Sequence, residues 1–189
     1  MNKNIWILFI VCLGLLKCTN QSKVNQSFHC KTSRFEQLEK LRDVKKLFSI
    51  ELPKTWNTNF YYDTLQSSIY TADTTKQLTE TLLLDITIIK QNIKFDNAFK
   101  IKQQDDELSK NLIKVKSEEI TLLKHTSYYR VSRGKKGKYN YHVGHFFIKI
   151  NEQYFIHAKT EVYGDSLINN RLCDGIELVG KIKLIEQND

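Results

Sequence analysis

The stretch KLFSIELPKTW (residues 46–56) marks the start of the folded part of the chain. Apolar side chains alternate with polar ones along it, at Phe48, Ile50 and Leu52. This is the period of a β-strand with one buried face. Pro53 has no N–H to donate to a neighbouring strand, so we expect the strand to end there. The stretch therefore predicts a short strand followed by a turn.

Alternation of the same kind continues along the chain. The clearest case is ETLLLDITIIKQN (residues 80–92), in which one face is apolar and the other carries Asp85. A charge on one face indicates a sheet with a solvated side, which is typical of antiparallel sheets. Residues 112–163 are rich in β-branched and aromatic side chains. Short polar breaks at residues 134–137 and 151–153 predict hairpins within this part.

Two segments predict helices instead of strands. Residues 95–111 have a patchy apolar face, and Asp96 is suited to cap the start of that helix. Residues 168–179 carry an apolar stripe at helical spacing, with Gly175 inside at a cost of ~1 kcal/mol relative to Ala. The predicted fold class is α+β. It is an antiparallel sheet of about six to eight strands with a mid-chain helix and a C-terminal helix packed on it.

The strand of the opening stretch ends in Leu-Pro, and Trp follows after two more residues. This pattern, formed by Phe48, Leu52, Pro53 and Trp56, resembles the start of PsbP-like domains. The same fold occurs in the Mog-type Ran-binding protein and in many small bacterial lipoproteins, and the element order here is similar over about residues 46–186. The resemblance implies a fold more than a function, since members known to act are mostly binding or assembly partners. No catalytic residues carry over, because the shared positions are packing and turn residues.

The first residues predict a secretory signal. Residues 5–16 form an apolar run, which is shorter than the about 20 residues that a membrane span needs. The following LLKC resembles the bacterial lipoprotein box, in which Leu15 precedes the acylated Cys18 by three residues. Lys17 departs from the small residue usual at its position. The alternative is that Cys18 is incidental. The segments SSIYTADTTKQLTETLLLDIT, YGD and RLC also resemble a group of bacterial lipoproteins.

These features predict the organisation and location of the chain. Residues 1–17 are expected to be a signal peptide, residues 18–43 a lipid-anchored tether and N-terminal segment, and residues 44–189 a PsbP-like α+β domain. We expect an exported protein, anchored by lipid to the cell envelope at the outer membrane and facing the periplasm. Its expected partners are the membrane, through the N-terminal lipid, and an envelope protein. Export disfavours nucleic acid despite the formal net charge of +8.

The cysteine count leads to a disulfide prediction. The chain has four cysteines, of which Cys12 would leave with the signal and Cys18 would take lipid. Cys30 and Cys173 then remain in an oxidising compartment, where they can form a disulfide. The alternative is two separately buried thiols, since unpaired cysteine is often buried.

A basic segment at residues 130–138 is the candidate contact site. Its basic residues are Arg130, Arg133, Lys135, Lys136 and Lys138. They could bind anionic lipid or an acidic partner, each charge adding up to about 1 kcal/mol at a membrane. The alternative is a solvated hairpin tip.

No residue pattern identifies a reaction. His142 and His145 are three apart, so in a strand they point to opposite faces. A tight turn at residues 151–153 would place His157 opposite Phe146 or Ile148. The sequence has no metal-ligand spacing, no Gly-x-Ser-x-Gly elbow and no phosphate-binding glycine loop. We therefore assign no catalytic residue, metal or cofactor.

The sequence favours a non-enzymatic binding or assembly module. Two alternatives remain open. One is a small periplasmic enzyme with an unmarked site, which would show a large pocket with convergent histidines or carboxylates. The other is a carrier that holds a lipid or small apolar ligand between the sheet and a helix.

Overall fold

The structure, a computed structural model, describes residues 28, 30 and 35–185. Within these residues the chain forms ten strands and two helices. The strands are β1 (Leu38–Arg42), β2 (Phe48–Pro53), β3 (Asn57–Tyr62), β4 (Gln66–Ala72), β5 (Leu83–Lys90), β6 (Ile113–Leu122), β7 (His125–Lys136), β8 (Tyr139–Lys149), β9 (Tyr154–Tyr163) and β10 (Lys183–Leu184). The helices are α1 (Asn97–Leu108) and α2 (Ile168–Gly180).

Seven of these strands form one antiparallel sheet in the order β3-β4-β5-β9-β8-β7-β6. A smaller sheet has the order β1-β2-β10. Helix α1 lies mid-chain and α2 follows the last long strand, so the predicted α+β class with two helices is confirmed. The strand of the opening stretch, β2, belongs to the smaller sheet. Its partner β1 lies within residues 18–43, ahead of the expected domain start.

The inner face of the large sheet packs against α2 and β2. Register places Ile86, Ala158 and Phe146 side by side on this face, and all three are buried. Helix α2 approaches β9 so closely that a Cβ on Gly175 would lie 2.5 Å from Cγ2 of Thr160. The glycine that weakens the helix is therefore required by packing.

Helix α1 covers part of the opposite, outer face. Asp96 caps the helix as predicted, since its Oδ1 accepts a hydrogen bond of 2.9 Å from the Phe99 N–H. The Phe99 ring lies 5.6 Å from that of Tyr128 and 5.1 Å from that of Phe147, measured between centroids. The helix thus lies over β7 and β8.

A disulfide joins Cys30 to Cys173 of α2, with 5.4 Å between their Cα atoms and a sequence separation of 143. Both cysteines are buried, and the neighbouring Phe28 packs edge-on against Tyr129 of the inner face. The disulfide predicted from the cysteine count is confirmed, and the alternative of two separate thiols is wrong. The bond holds Cys30 against the core.

Both predicted hairpins are present, one with its turn at the predicted residues and one with its turn shifted along the chain. Residues 151–153 form a turn, in which Asn151 Oδ1 accepts bonds of 2.8 Å from the N–H groups of Gln153 and Tyr154. The other turn lies further along than residues 134–137, because β7 continues to Lys136. Gly137 has a φ of 60°, the left-handed conformation that a tight turn requires and glycine adopts readily.

Residues 1–17 and Cys18 lie outside the described residues, so the signal and the lipidation stay predictions. In the part of the chain that the structure describes, neither helix has the length and apolar character needed to cross a membrane.

Candidate functional site

The structure divides the predicted basic site. Arg130 is only 4 % exposed, and its Nη2 forms an ion pair with Oε2 of Glu107 on α1. Ser132 donates a hydrogen bond to the other carboxylate oxygen of Glu107. Arg130 thus joins α1 to β7, and its charge is directed into the protein. The other four basic residues lie nearer the hairpin tip.

Three members of the predicted site, Arg133, Lys135 and Lys138, are exposed. Lys136 is also exposed but lies 3.3 Å from the carboxylate of Glu161. The contact of this tip with an anionic surface stays a prediction, now resting on three side chains without Arg130.

Glu161 is the centre of a polar cluster on the outer face. It is buried, accepts a hydrogen bond from the Tyr141 hydroxyl, and lies 3.2 Å from Lys159. Burial alone would raise the pKa of Glu161, but the bond from Tyr141 and the charges of Lys159 and Lys136 outweigh it and lower the pKa. Burial and the bond to Glu161 raise the pKa of Tyr141. The carboxylate therefore stays ionised and paired, which suits a structural role.

Two histidines meet next to this cluster. His145 Nδ1 and His157 Nε2 are 2.9 Å apart, and the His157 ring stacks on Phe147 at 4.5 Å between centroids. Burial lowers the pKa of His145 to about 4 and, with the neighbouring His145, that of His157 to about 3. Both are neutral at pH 7. Among the described residues no group of three or more His, Cys, Asp or Glu side chains could hold a metal.

The histidine pair was missed because the expected register was wrong. His157 lies opposite Phe147, where Phe146 or Ile148 was expected. The register pairs Lys149 with Phe155, and the Ile150 N–H donates to the Tyr154 carbonyl at 3.1 Å, so the turn encloses residues 151–153. With this turn, His157 pairs with Phe147 and lies on the same face as His145.

A cavity of about 390 Å³ lies where β3 begins, between Trp56, the β4–β5 connection and the first half of α2. We call it the acidic cavity, because four carboxylates and two cations line it. These are Glu36, Asp73, Glu80 and Asp174, with Lys76 and Arg171. Phe35 and Trp56 pack edge-on at 6.1 Å and form its aromatic side. The sequence indicated only packing and turn roles for Pro53 and Trp56, which both line this cavity.

Apolar side chains fill the space between the large sheet and α2. Leu172, Ile176 and Val179 are buried there, beside the close contact between Gly175 and Thr160. The acidic cavity lies at the margin of this core and has a charged lining. The apolar cavity between sheet and helix that a lipid carrier would need is not supported at this position.

An aromatic surface lies at the other end of β3. Phe60, Tyr61, Tyr62 and Leu65 are 41, 58, 65 and 60 % exposed, and they belong to the hairpin of β3 and β4. We call these four residues the aromatic hairpin surface. Exposed aromatic clusters are typical of protein interfaces. The sequence predicted a strand here but gave no sign of its exposure, because the exposure depends on β3 being the last strand of the sheet.

Comparisons with known proteins support the fold. No family model matches the sequence, and no curated protein matches it. Cyanobacterial PsbP (CyanoP) from Synechocystis sp. PCC 6803 matches with a TM-score of 0.55 and 9 % identity, over 82 % of this chain and 97 % of that protein. The Ran-binding protein Mog1p of Saccharomyces cerevisiae matches with a TM-score of 0.51 and 10 % identity, over 78 % of this chain and 95 % of its own.

A protein from Bacteroides thetaiotaomicron has a TM-score of 0.53 and 12 % identity over 80 % of this chain, which spans 50 % of that protein. Identities this low show the fold alone. The chain has a PsbP/Mog1-like fold, and the resemblance noted at Phe48–Trp56 is confirmed at that level.

Proposed function

We propose that this chain is an exported, lipid-anchored protein of the cell envelope whose PsbP/Mog1-like domain is a non-enzymatic binding or assembly module. The observation that supports a binding role is the aromatic hairpin surface. Its four large apolar side chains lie within six residues of one hairpin and are more than 40 % exposed. Phe60 and Tyr62 share one face of β3, and Tyr61 lies on the other. Large apolar side chains exposed close together are typical of surfaces that other proteins cover.

The polar groups of the domain favour binding over catalysis. A general acid or base needs a proton partner within reach of a substrate. Glu161 already accepts from Tyr141 and pairs with lysines, while Glu107 pairs with Arg130. These arrangements stabilise the fold.

The lipid anchor is part of the proposal because the apolar run of residues 5–16 is followed directly by Lys17 and Cys18, with Leu15 three residues before the cysteine. A single acyl chain binds a membrane weakly, so a stable anchor would carry more than one. In bacteria fed a clickable fatty acid, the wild-type protein and Cys12→Ser should be labelled, and Cys18→Ser should not. Equal labelling of Cys18→Ser would contradict the anchor.

A site-specific crosslink tests the binding role. A photo-reactive phenylalanine replaces Tyr62 in the aromatic hairpin surface, and in a matched control it replaces Ile101, which is 59 % exposed on α1. Irradiation of intact cells should join the Tyr62 variant to one dominant envelope protein and leave the Ile101 variant uncoupled. Tyr61→Ser, added to the Tyr62 variant, should reduce the yield. The same products from both positions, or none from Tyr62, would contradict the proposal.

A further inference from the structure

The two edge strands of the large sheet differ in how they are protected. Edge strands expose unpaired N–H and C=O groups, and soluble proteins usually block them with lysines, prolines or bulges. At one edge, β6 carries Lys114 and Lys116, and its register shifts between them. At the other edge, β3 (Asn57–Tyr62, NTNFYY) has no charged residue and no proline, and it pairs with β4 without a bulge. Among the described residues, β3 is therefore the unprotected edge.

The outward-facing backbone groups of β3 follow from its register. The Asp63 N–H donates to the Gln66 carbonyl at 3.0 Å, which makes that pair a hydrogen-bonded one. Hydrogen-bonded and non-bonded pairs alternate along an antiparallel ladder. Thr58, Phe60 and Tyr62 are therefore the residues whose N–H and C=O groups point away from β4. They can form a further ladder with an added strand.

The acidic cavity indicates the occupant of this edge. It adjoins the start of β3, since Thr55 and Trp56 line it and Asn57 is the first residue of the strand. Its lining has two more carboxylates than cations, and Trp56 adds an aromatic ring that attracts cations. A second copy of β3 has no basic side chain to place there. A partner segment that pairs with β3 and carries a basic residue just beyond the paired part would match both the open edge and the acidic cavity.

We propose that an extended segment of a partner protein adds to the large sheet along the open edge of β3 and places a basic side chain in the acidic cavity. This inference rests on the proposed binding function and names its mode. Main-chain hydrogen bonds to Thr58, Phe60 and Tyr62 supply affinity, and the cavity supplies selectivity. The partner strand runs antiparallel to β3, as every neighbouring pair in the sheet does, so the C-terminal end of the segment meets the cavity.

The probe is a short acetylated and amidated peptide of alternating threonine and valine that ends in lysine. Its binding to the purified full domain is measured by fluorescence anisotropy, and protection of individual β3 amides by hydrogen exchange. A second peptide carries N-methyl groups on alternate residues, which removes the donors of the ladder and keeps the side chains. A third has norleucine in place of lysine. We expect each change to weaken binding about tenfold or more.

Matched variants test the protein side. Thr58→Pro removes one outward N–H, while Thr58→Ala keeps that N–H. Both variants lose the side-chain bond of 2.9 Å to Thr71, so only the backbone donor and the ring constraint differ. Glu80→Gln removes charge from the acidic cavity, and Glu118→Gln on β6 is its control. Thr58→Pro and Glu80→Gln should weaken the lysine peptide, and their controls should not.

The outcomes separate the possibilities. Protection of the Thr58, Phe60 and Tyr62 amides, together with loss of affinity on N-methylation, supports the proposal. Equal binding of the N-methylated peptide overturns the proposal that a strand is added. A crosslink from Tyr62 would then still support binding of a partner through side chains. Equal binding of the norleucine peptide overturns the basic occupant. Self-association of the wild type that is lost in Thr58→Pro, measured by light scattering, overturns it in favour of a second copy.

Discussion

The buried ion pair between Glu107 and Arg130 leads to the sharpest prediction. The two side chains are 6 and 5 % exposed, and the Glu107 carboxylate also accepts a hydrogen bond from Ser132. Glu107→Gln keeps the shape of the side chain and removes its charge. Arg130, whose pKa is too high for it to lose its proton, is then left as a buried cation without its counter-charge.

The magnitude follows from burial. Removing one partner of a buried pair typically destabilises a protein by about 3–5 kcal/mol, whereas an exposed pair contributes about 0–1 kcal/mol. Because both side chains are almost fully buried, we expect Glu107→Gln to reduce the free energy of unfolding by about 3 kcal/mol. The double variant Glu107→Leu with Arg130→Met replaces both charges by apolar groups. It should unfold within about 1 kcal/mol of the wild type or be more stable.

Urea unfolding of the oxidised protein, followed by circular dichroism, measures both values. Binding to acidic vesicles is recorded in parallel, because Arg130 was a member of the predicted basic contact site. The double variant should bind as the wild type does, whereas Lys135→Glu should bind less. A loss below about 0.5 kcal/mol for Glu107→Gln, or purely additive effects of single and double changes, would refute the reasoning.

Three further changes test the packing of the core and the outer face. Cys173→Ser should reduce the free energy of unfolding by up to ~5 kcal/mol, because the disulfide closes a loop of 143 residues, and dithiothreitol should produce the same loss in the wild type only. The pair His145–His157 is neutral in the folded protein, because both pKa values are lowered. In the unfolded chain the same histidines bind protons below pH about 6.5. The free energy of unfolding should therefore fall as the pH drops from about 6.5 towards 4. His157→Phe should flatten that slope in urea unfolding at several pH values, and an unchanged slope would contradict the assignment. Gly175→Ala should lower the melting temperature. The steric clash with Thr160 should cost about 1–3 kcal/mol of folding free energy, which exceeds the ~1 kcal/mol gained in helix propensity. Thr160→Ser deletes the methyl group that would lie 2.5 Å from the new Cβ, so adding it to Gly175→Ala should recover the loss. A melting temperature raised by Gly175→Ala alone would contradict this prediction.

Local patterns in the sequence were sufficient for much of the fold. Alternation identified β2, a side chain with capping chemistry located the start of α1, and the apolar stripe located α2. These features depend on neighbours within a few residues, which the sequence shows directly. The pairing of Cys30 with Cys173 was predicted from the count of cysteines left after the expected signal and lipidation. It needed no geometry beyond two positions that could meet.

The tertiary structure alone decided which residues could contact a partner. Arg130 and Arg133 carry the same charge. Arg130 is buried against α1, whereas Arg133 is exposed, because the helix covers the face of β7 to which Arg130 points. His157 met His145 because the pairing of β8 with β9 puts both side chains on one face. Phe60 and Tyr62 became exposed because β3 is the last strand, and strand order is set by long-range pairing that no local period encodes.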